Sequence, residues 1–519
     1  MVCGYTMVTS LIKALDTRYE EYLGDESQMK GQGSSISFPQ TNEEVVAVVR
    51  EMIGSKTPIT VQGGNTGICG GAVPINGHVL NLSHMNKSLG LRKAGDDYLI
   101  KVQPGLRLSE FEQQLHNKSF DIEGWDEASR AVIHTFKSDK AYFWPPKPTE
   151  ASATIGGILA TNAQGICGYL YGDTKQYIEE ICLINSHGQE IIIPRGKYKV
   201  ENHQCLLPNN ELLVINTDIL KRPKDVDLID LYLGSEGMYG IIVGATLRLI
   251  KRPEEVWGIG FFFEVQDNLF EFVEELRHGN YKQDTAAIAA IEYIDKRTFV
   301  HIDQLKKIST KLNELPDVDE KYAGMIYIEI HGKNECDIEN IAEKLMELAT
   351  VHGSDEEASW ALAGEDELEK IRAFRHAAPE SINMALRKAT LLDHRITKLS
   401  TDIMINETYF GQIVTMYQND AIEQGLEFAI FGHIAGNHVQ VNLLPKNYQE
   451  YTKGKNLIEK WVTNTTKLGG IFFREQGVGK IKKDLFKLVT EEKVLKIVRN
   501  IKKTLDPNSI LNPGNMFDD

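Results

Sequence analysis

The residues best suited to chemistry fall in short, separated stretches. The first is Gly63-Gly-Asn-Thr-Gly-Ile-Cys-Gly-Gly71, continued by Ala72, Val73 and Pro74. Glycine at this density lets backbone N–H groups approach a phosphate with no side chain between them. The stretch is not a P-loop, because no Gly-Lys-Ser/Thr follows. Nor is it the dinucleotide fingerprint of a Rossmann fold: its glycines precede a strand, and the acidic residue about 20 positions on is missing. A second stretch, Ala153-Thr-Ile-Gly-Gly157 with Thr161-Asn-Ala-Gln-Gly165, gathers small residues into a wall against which a flat ring or an extended diphosphate would fit. A third, Gly234-Ser-Glu-Gly-Met-Tyr-Gly-Ile-Ile242, again leads glycines into a strand. Taken singly, each also fits ordinary structure, a flexible turn or close helix–strand packing. Later in the chain come titratable groups. Phe431-Gly-His-Ile-Ala-Gly-Asn-His-Val-Gln-Val-Asn-Leu-Leu-Pro445 carries His433 and His438, and Glu475-Gln-Gly-Val-Gly-Lys480 sets a carboxylate beside an amide. Arg375, in Phe374-Arg-His376, and Lys398, in Lys398-Leu-Ser-Thr-Asp402, are cations suited to a small anion.

The elements that must position these groups can be read from periodicity. Thr41-Asn-Glu-Glu44 has the form of a capping box, and Val45, Val48, Val49, Met52 and Ile53 follow at helical spacing, with Gly54 as a natural stop. Strands are expected at Ile59–Gln62 and His78–Leu82 on either side of the first glycine loop, then at 97–105, Tyr177–Ile184, Glu190–Ile193 and Gly240–Leu249. A helix is expected from Ser109. Residues 194–225 are polar and read as an irregular insertion. Past Arg252-Pro253 the pattern changes: strands at Trp257–Val265, Thr285–Ile294 and Met325–His331 alternate with helices over Leu269–Arg277 and around Ile338–Ala349. In Met325–His331 the isoleucines 326, 328 and 330 fall on one face. The expected organisation is a helical lead-in over 1–35, a cofactor domain over 36–252, an α+β cap over 253–480 and a terminal segment, 481–519, that returns to the cofactor site.

Composition narrows the class. The chain has 519 residues, 57 Lys+Arg against 73 Asp+Glu and a formal charge of −16, with 42% hydrophobic and 25% charged residues. That balance is ordinary for a globular protein with sizeable cores. It excludes a nucleic-acid binder working by bulk charge. The six cysteines form no Cys-x-x-Cys pair, which argues against a zinc–cysteine site or an iron–sulfur cluster and for a reducing, cytoplasmic setting, at most peripheral to a membrane. No apolar run is long enough to span a bilayer, and the N-terminus does not have the form of a secretory signal.

The three glycine stretches, in this order and spacing, carry a resemblance. The sequence resembles the p-cresol methylhydroxylase (vanillyl-alcohol oxidase) type of FAD-binding flavoproteins. It is most similar to the branch of FAD-linked D-lactate dehydrogenases, glycolate oxidases and D-2-hydroxyglutarate dehydrogenases. Residues 63–74, 154–165 (with Gln164 where a glycine is usual), 234–242, 431–445, 475–480 and Leu505–Gly514 carry it. The resemblance implies an α+β fold: an FAD domain of two subdomains, followed by a ferredoxin-like α+β substrate cap. It implies non-covalent FAD, with the pyrophosphate held by Gly63, Gly64, Asn65, Thr66, Gly67, Gly70, Gly71 and Ala72. Thr154, Gly156, Gly157, Asn162, Glu236, Gly240 and Ile242 would line the cofactor, and Asn512 would lie near the isoalloxazine.

It also implies a metal and a base, and here the sequence departs from the family. The family's two metal-binding histidines, its glutamate and the histidine base that follows correspond by position to His433, Gln440, Glu475 and Gln476. An amide does not titrate near neutrality, so Gln476 cannot be a general base. Gln440 offers a weaker ligand than imidazole, which leaves His433 and Glu475 as a poor divalent site. His438 reads as a structural histidine. The expected activity is oxidation of a small organic acid, a D-2-hydroxy acid, by hydride transfer from Cα to flavin N5. Arg375 and Lys398 would hold the carboxylate, and Glu475 or a water would stand in for the base. Because the chain carries no second dinucleotide motif, electrons would pass to a separate acceptor: an electron-transfer flavoprotein, an iron–sulfur subunit, a quinone or oxygen. A homo-oligomer or a place in a larger complex is expected. The alternative is an FAD-containing relay or structural subunit that has lost this chemistry. An NAD-dependent Rossmann dehydrogenase is disfavoured by the context of the glycine loop.

Overall fold

The structure, a computed structural model, describes residues 10–518 apart from 221–225, 284, 310–311, 313–316 and 473–474. Cys3 and the first part of the lead-in therefore lie outside the described residues. The chain divides into two compact units, one formed from residues up to 165, 173–252 and 475 onward, the other from 166–172 and 253–474.

The first unit is built on two sheets. In the smaller, strands run in the order Lys13–Ala14, Ser35–Ser37, His78–Asn81, Ile59–Gln62, the last three mutually parallel. The larger sheet is antiparallel, in the order Ser88–Ala94, Asp97–Val102, Ile241–Lys251, Ile178–Ile184, Glu190–Pro194, with Tyr142–Phe143 also pairing to Ile241–Lys251. Helix Asn42–Ser55 buries Val45, Val48, Val49 and Met52, as its spacing requires. Its Thr41 side chain accepts from the Glu44 N–H at 3.3 Å, while the Glu44 carboxylate accepts from the Gln40 N–H at 2.6 Å. The helix does not stop at Gly54. It runs to Ser55 and closes on Lys56, whose left-handed backbone (φ 53°) returns its N–H to Ile53 and Met52. Chain termination is also tertiary. The Ile59 N–H donates to Ile510, and the Asn512 N–H to Ile59, which lays the C-terminal turn along the edge of the glycine-loop strand. In the described part of 194–225 the expected irregular loop contains a hairpin, Gln204–Leu206 with Leu212–Val214, which turns Cys205 and Leu213 inward.

The second unit has one antiparallel sheet of nine strands. Trp360–Ala363, Glu255–Phe263, Gly324–Gly332 and Ala286–Asp295 lie side by side in that order, with helices Gln266–His278 and Glu335–Val351 as the crossovers. In chain order this is β-α-β-β-α-β with spatial order 4-1-3-2, the split ferredoxin-like arrangement. Phe428–His433 and His438–Leu443 extend the sheet from Ala286–Asp295. The isoleucines 326, 328 and 330 share one face, and all nine residues of Gly324–Gly332 are buried, because helices cover both sides. One of these, Glu365–Leu392, spans 28 residues with Pro379 inside and was not expected from periodicity. It sets Leu368, Arg372, Arg375, Ala378 and Ile382 on a single stripe at i, i+3, i+4 spacing.

Candidate active site

In the first unit the glycine loop is anchored by its carbonyls. Asn81 Nδ2 donates to the Gly63 carbonyl, the Glu26 N–H to that of Asn65, the Lys480 and Ile481 N–H groups to that of Cys69, and Lys480 Nζ to those of Gly70 and Gly71. Gln62 Nε2 takes the Ala72 carbonyl at 2.8 Å. A trans peptide points its N–H opposite its C=O, so a loop held by its carbonyls presents N–H groups on its other side. Glycine is also required sterically. A Cβ on Gly63 would lie 2.2 Å from Thr154 Oγ1, one on Gly64 2.8 Å from the Ser152 carbonyl, and one on Gly156 2.7 Å from Pro104. Gly67 meets nothing closer than 3.6 Å.

Of the other predicted cofactor residues, Thr154 lies against Gly63 and Glu236 against Gly71. Thr154 caps helix Ile155–Thr161 by accepting from the Gly157 N–H, and Asn162 closes that helix with φ 50°. Glu236, also left-handed (φ 53°), is buried, and its carboxylate accepts from the Val478 and Gly479 N–H groups at 2.6 and 2.8 Å. Burial pushes that carboxyl up, while those two N–H groups and the Lys480 and Lys482 charges pull it back. Asn512 bridges the Val61 N–H (2.7 Å) and the Glu236 carbonyl (2.5 Å), so it locks strand Ile59–Gln62 to the third glycine stretch. Gly240 and Ile242 lie on strand Ile241–Lys251 and its entry, against Leu183. Two ionisable residues here were not expected from the sequence. Burial lowers Lys480 to about 8 and raises Asp25, bonded to Ser27, to about 6. Asn65 Oδ1 is buried with no hydrogen-bond partner among the described residues. Closely packed glycine backbone held by its carbonyls, with the Asn65 amide oxygen short of a partner, fits a diphosphate carrying a hydroxylated sugar. These residues would hold FAD.

Glu475 and Gln476 also belong to the first unit. Gln476 Oε1 accepts from Lys482 Nζ at 2.6 Å, which fixes the amide as an acceptor. His78, one strand from the glycine loop, is buried between Ser35 and Ser37, each 2.8 Å from a ring nitrogen, and desolvation lowers it to about 4.

In the second unit, Arg375 and His433 meet on a residue missed from sequence. Glu292, fully buried in strand Ala286–Asp295, accepts from Arg375 Nε at 2.7 Å, and its other oxygen lies against His433 Nδ1. Burial alone would raise the Glu292 carboxyl. The positive charges of His433 and Arg375 more than offset it and hold the group below the usual carboxylate range. The signal was present in the sequence as a lone acidic residue within the apolar run Ala286-Ala-Ile-Ala-Ala-Ile-Glu-Tyr-Ile294. Arg375 is 5% exposed and its Nη1 has no hydrogen-bond partner among the described residues. Lys398, also buried, donates to Asn383 Oδ1 at 2.8 Å. His438 is buried with Nε2 2.9 Å from Asp402, and its ring stacks on that of His433 at 6.2 Å between centroids. Gln440 is registered opposite Phe431. With His433 Nδ1 engaged by Glu292 and an amide at 440, the donors around His433 suit a divalent metal poorly.

Comparison with known proteins agrees with FAD as the cofactor. A family model described as FAD binding domain matches residues 34–126, and one described as FAD linked oxidases, C-terminal domain, matches residues 267–516. The chain is 24% identical over 502 residues to a D-lactate dehydrogenase of Anaerostipes hadrus, covering 95% of this chain and 92% of that protein. It is 25% identical over 500 residues to a D-2-hydroxyglutarate dehydrogenase of Stutzerimonas stutzeri, covering 93% and 91%. Among solved structures, a 4-ethylphenol oxidase from Gulosibacter chungangensis shares the fold, with a TM-score of 0.69 at 13% identity over 99% of this chain and 97% of the other. From the glycine-loop cradle, the ferredoxin-like sheet and these two matched domains, the chain belongs to the FAD-linked oxidases and dehydrogenases of the p-cresol methylhydroxylase type.

Proposed function

We propose that the protein oxidises a small D-2-hydroxy acid to the corresponding 2-oxo acid and passes the electrons to a separate acceptor. Bound FAD supplies the two-electron, hydride-accepting centre. The observation that carries the substrate class is Arg375. A guanidinium keeps its charge at all accessible pH, and this one is buried with Nη1 unpaired among the described residues. A buried cationic donor of this kind calls for an anion, and a substrate carboxylate matches its geometry. Glu292 holds Nε, so the guanidinium is oriented before substrate arrives, and the same carboxylate holds His433 beside it. The relatives named for D-lactate and D-2-hydroxyglutarate support the same class. Gln476 cannot take the hydroxyl proton, so that proton leaves through Glu475 or water. An electron-transfer flavoprotein, an iron–sulfur subunit or a quinone is the acceptor in this reading.

The test is anaerobic reduction of the FAD-loaded protein by D-lactate, D-2-hydroxyglutarate and glycolate, followed in the visible flavin bands. Bleaching by one D-acid, with its KM raised at least ~10-fold in Arg375→Lys, is the expected result, since lysine cannot reproduce a planar, oriented donor edge. Bleaching by dithionite but by none of the acids would defeat it. That outcome would favour the second reading, an FAD-containing relay or structural subunit. One observation speaks for the second reading: Lys482 pins the Gln476 amide, at the position where a base is expected.

A further inference from the structure

The second unit contains a buried side-chain cluster that the proposed reaction does not use. Cys167, Glu329 and His331 are 6%, 1% and 8% exposed, and a ligand atom of each lies within 4.8 Å of the others. His331 Nε2 is 2.7 Å and Cys167 Sγ 3.8 Å from the same oxygen, Glu329 Oε1. Strand Gly324–Gly332 contributes the two alternating residues Glu329 and His331 to one face, and the short helix Gly168–Tyr171 brings Cys167 onto that face from above. The residues registered against Glu329 and His331 on the next strand are Ala290 and Ala287, small side chains that leave the volume over the strand to the sulfur.

We infer that Cys167, Glu329 and His331 form a binding site for a borderline divalent transition cation, with zinc the natural occupant. Thiolate, imidazole and carboxylate are the three donor types zinc accepts, and three protein ligands leave one position for water. Around them stands the outer layer such a site needs. Tyr171 OH lies 2.7 Å from His331 Nδ1, Tyr327 OH donates to Glu329 Oε2 at 2.6 Å, and Arg372 Nη2 donates to Oε1 at 2.6 Å. The proton balance is simple. In the present arrangement Nε2–H and S–H both point to an acceptor-only carboxylate. On binding, the thiol proton is released to solvent and a sulfur–metal bond forms. The imidazole carries its proton on Nδ1 instead of Nε2, and the Tyr171 oxygen, donor in one state, becomes the acceptor in the other. Nothing is oxidised or reduced. The cation would tie the 166–172 segment to the central strand of the sheet.

The experiment uses the full-length, FAD-loaded protein, with zinc content measured after passage over a chelating column. About one zinc per chain is expected. It should fall at least ~10-fold in Cys167→Ser and in His331→Gln and be unchanged in His433→Ala. Cobalt(II) added to the zinc-free protein provides a reading that needs no variant: d–d bands to the red of the flavin, with a sulfur-to-cobalt charge-transfer band. Absence of the thiolate band, or zinc that survives Cys167→Ser but is lost in His433→Ala, overturns the assignment. So does folded protein that holds no stoichiometric zinc or cobalt, in which case the cluster is a hydrogen-bonded ion network only.

Discussion

Glu292 gives the sharpest test of how the second unit holds its cations. Its carboxylate is 0% exposed and is shared by Arg375 Nε at 2.7 Å and His433 Nδ1. Replacing it by leucine leaves the Arg375 guanidinium, 5% exposed, with two unpaired nitrogens, Nε and Nη1, among the described residues. Breaking a buried ion pair from one side costs about 3–5 kcal/mol. Arg375→Leu is the milder change, since Glu292 keeps His433, and about 2–3 kcal/mol is expected. The double variant removes both charges together, so its cost should fall short of the sum of the singles by ~2 kcal/mol or more. A chain of two compact units need not unfold in one step, so the readout should be local. Hydrogen-exchange mass spectrometry on peptides covering 286–295 and 428–433 provides that. A loss of about 3–5 kcal/mol shortens protection there by a hundred- to a few thousand-fold, on the scale of about 1.4 kcal/mol per tenfold. Peptides covering 178–184, in the other unit, should be unchanged. Additivity within about 0.5 kcal/mol would refute the reasoning, because it would mean that the two groups are not energetically paired.

Three further outcomes are expected. His78 is lowered to about 4 by burial, whereas the unfolded chain titrates near 6.5, so between those values the unfolded state binds more protons and stability rises with pH. The contribution is complete above 6.5 and fades as pH falls toward 4, worth about 3 kcal/mol in all, so thermal melts at pH 7.5 and 5 should converge in His78→Gln. Gly63→Ala, whose Cβ would fall 2.2 Å from Thr154 Oγ1, should lower FAD occupancy at least ~10-fold by equilibrium dialysis, since the loop must shift to admit it. Asn512→Ala removes the bridge from Val61 to Glu236 and should cost about 1–3 kcal/mol in urea unfolding of the first unit, by taking the acceptor from the Val61 N–H and leaving the Glu236 carbonyl only the longer bond from Asn515 Nδ2 at 3.4 Å.

What the sequence determined by itself was local or repeated locally. The helix over 42–55 was legible because capping and burial act within a few residues, and the glycine stretches because backbone approach demands glycine whatever surrounds it. That the amides of Gln440 and Gln476 do not titrate near neutrality was legible because amide chemistry does not depend on context. Among the described residues no helix is long and apolar enough to cross a bilayer. The tertiary structure decided which charges meet. Glu292 finds Arg375 and His433 from 83 and 141 residues away, and Glu329 draws Cys167 from 162. Sequence spacing carries no trace of such pairings, because strand order and register set them. The same holds for burial of both faces of Gly324–Gly332. Alternation reports which residues share a face, but only the helices packed on the sheet decide whether that face is open to water.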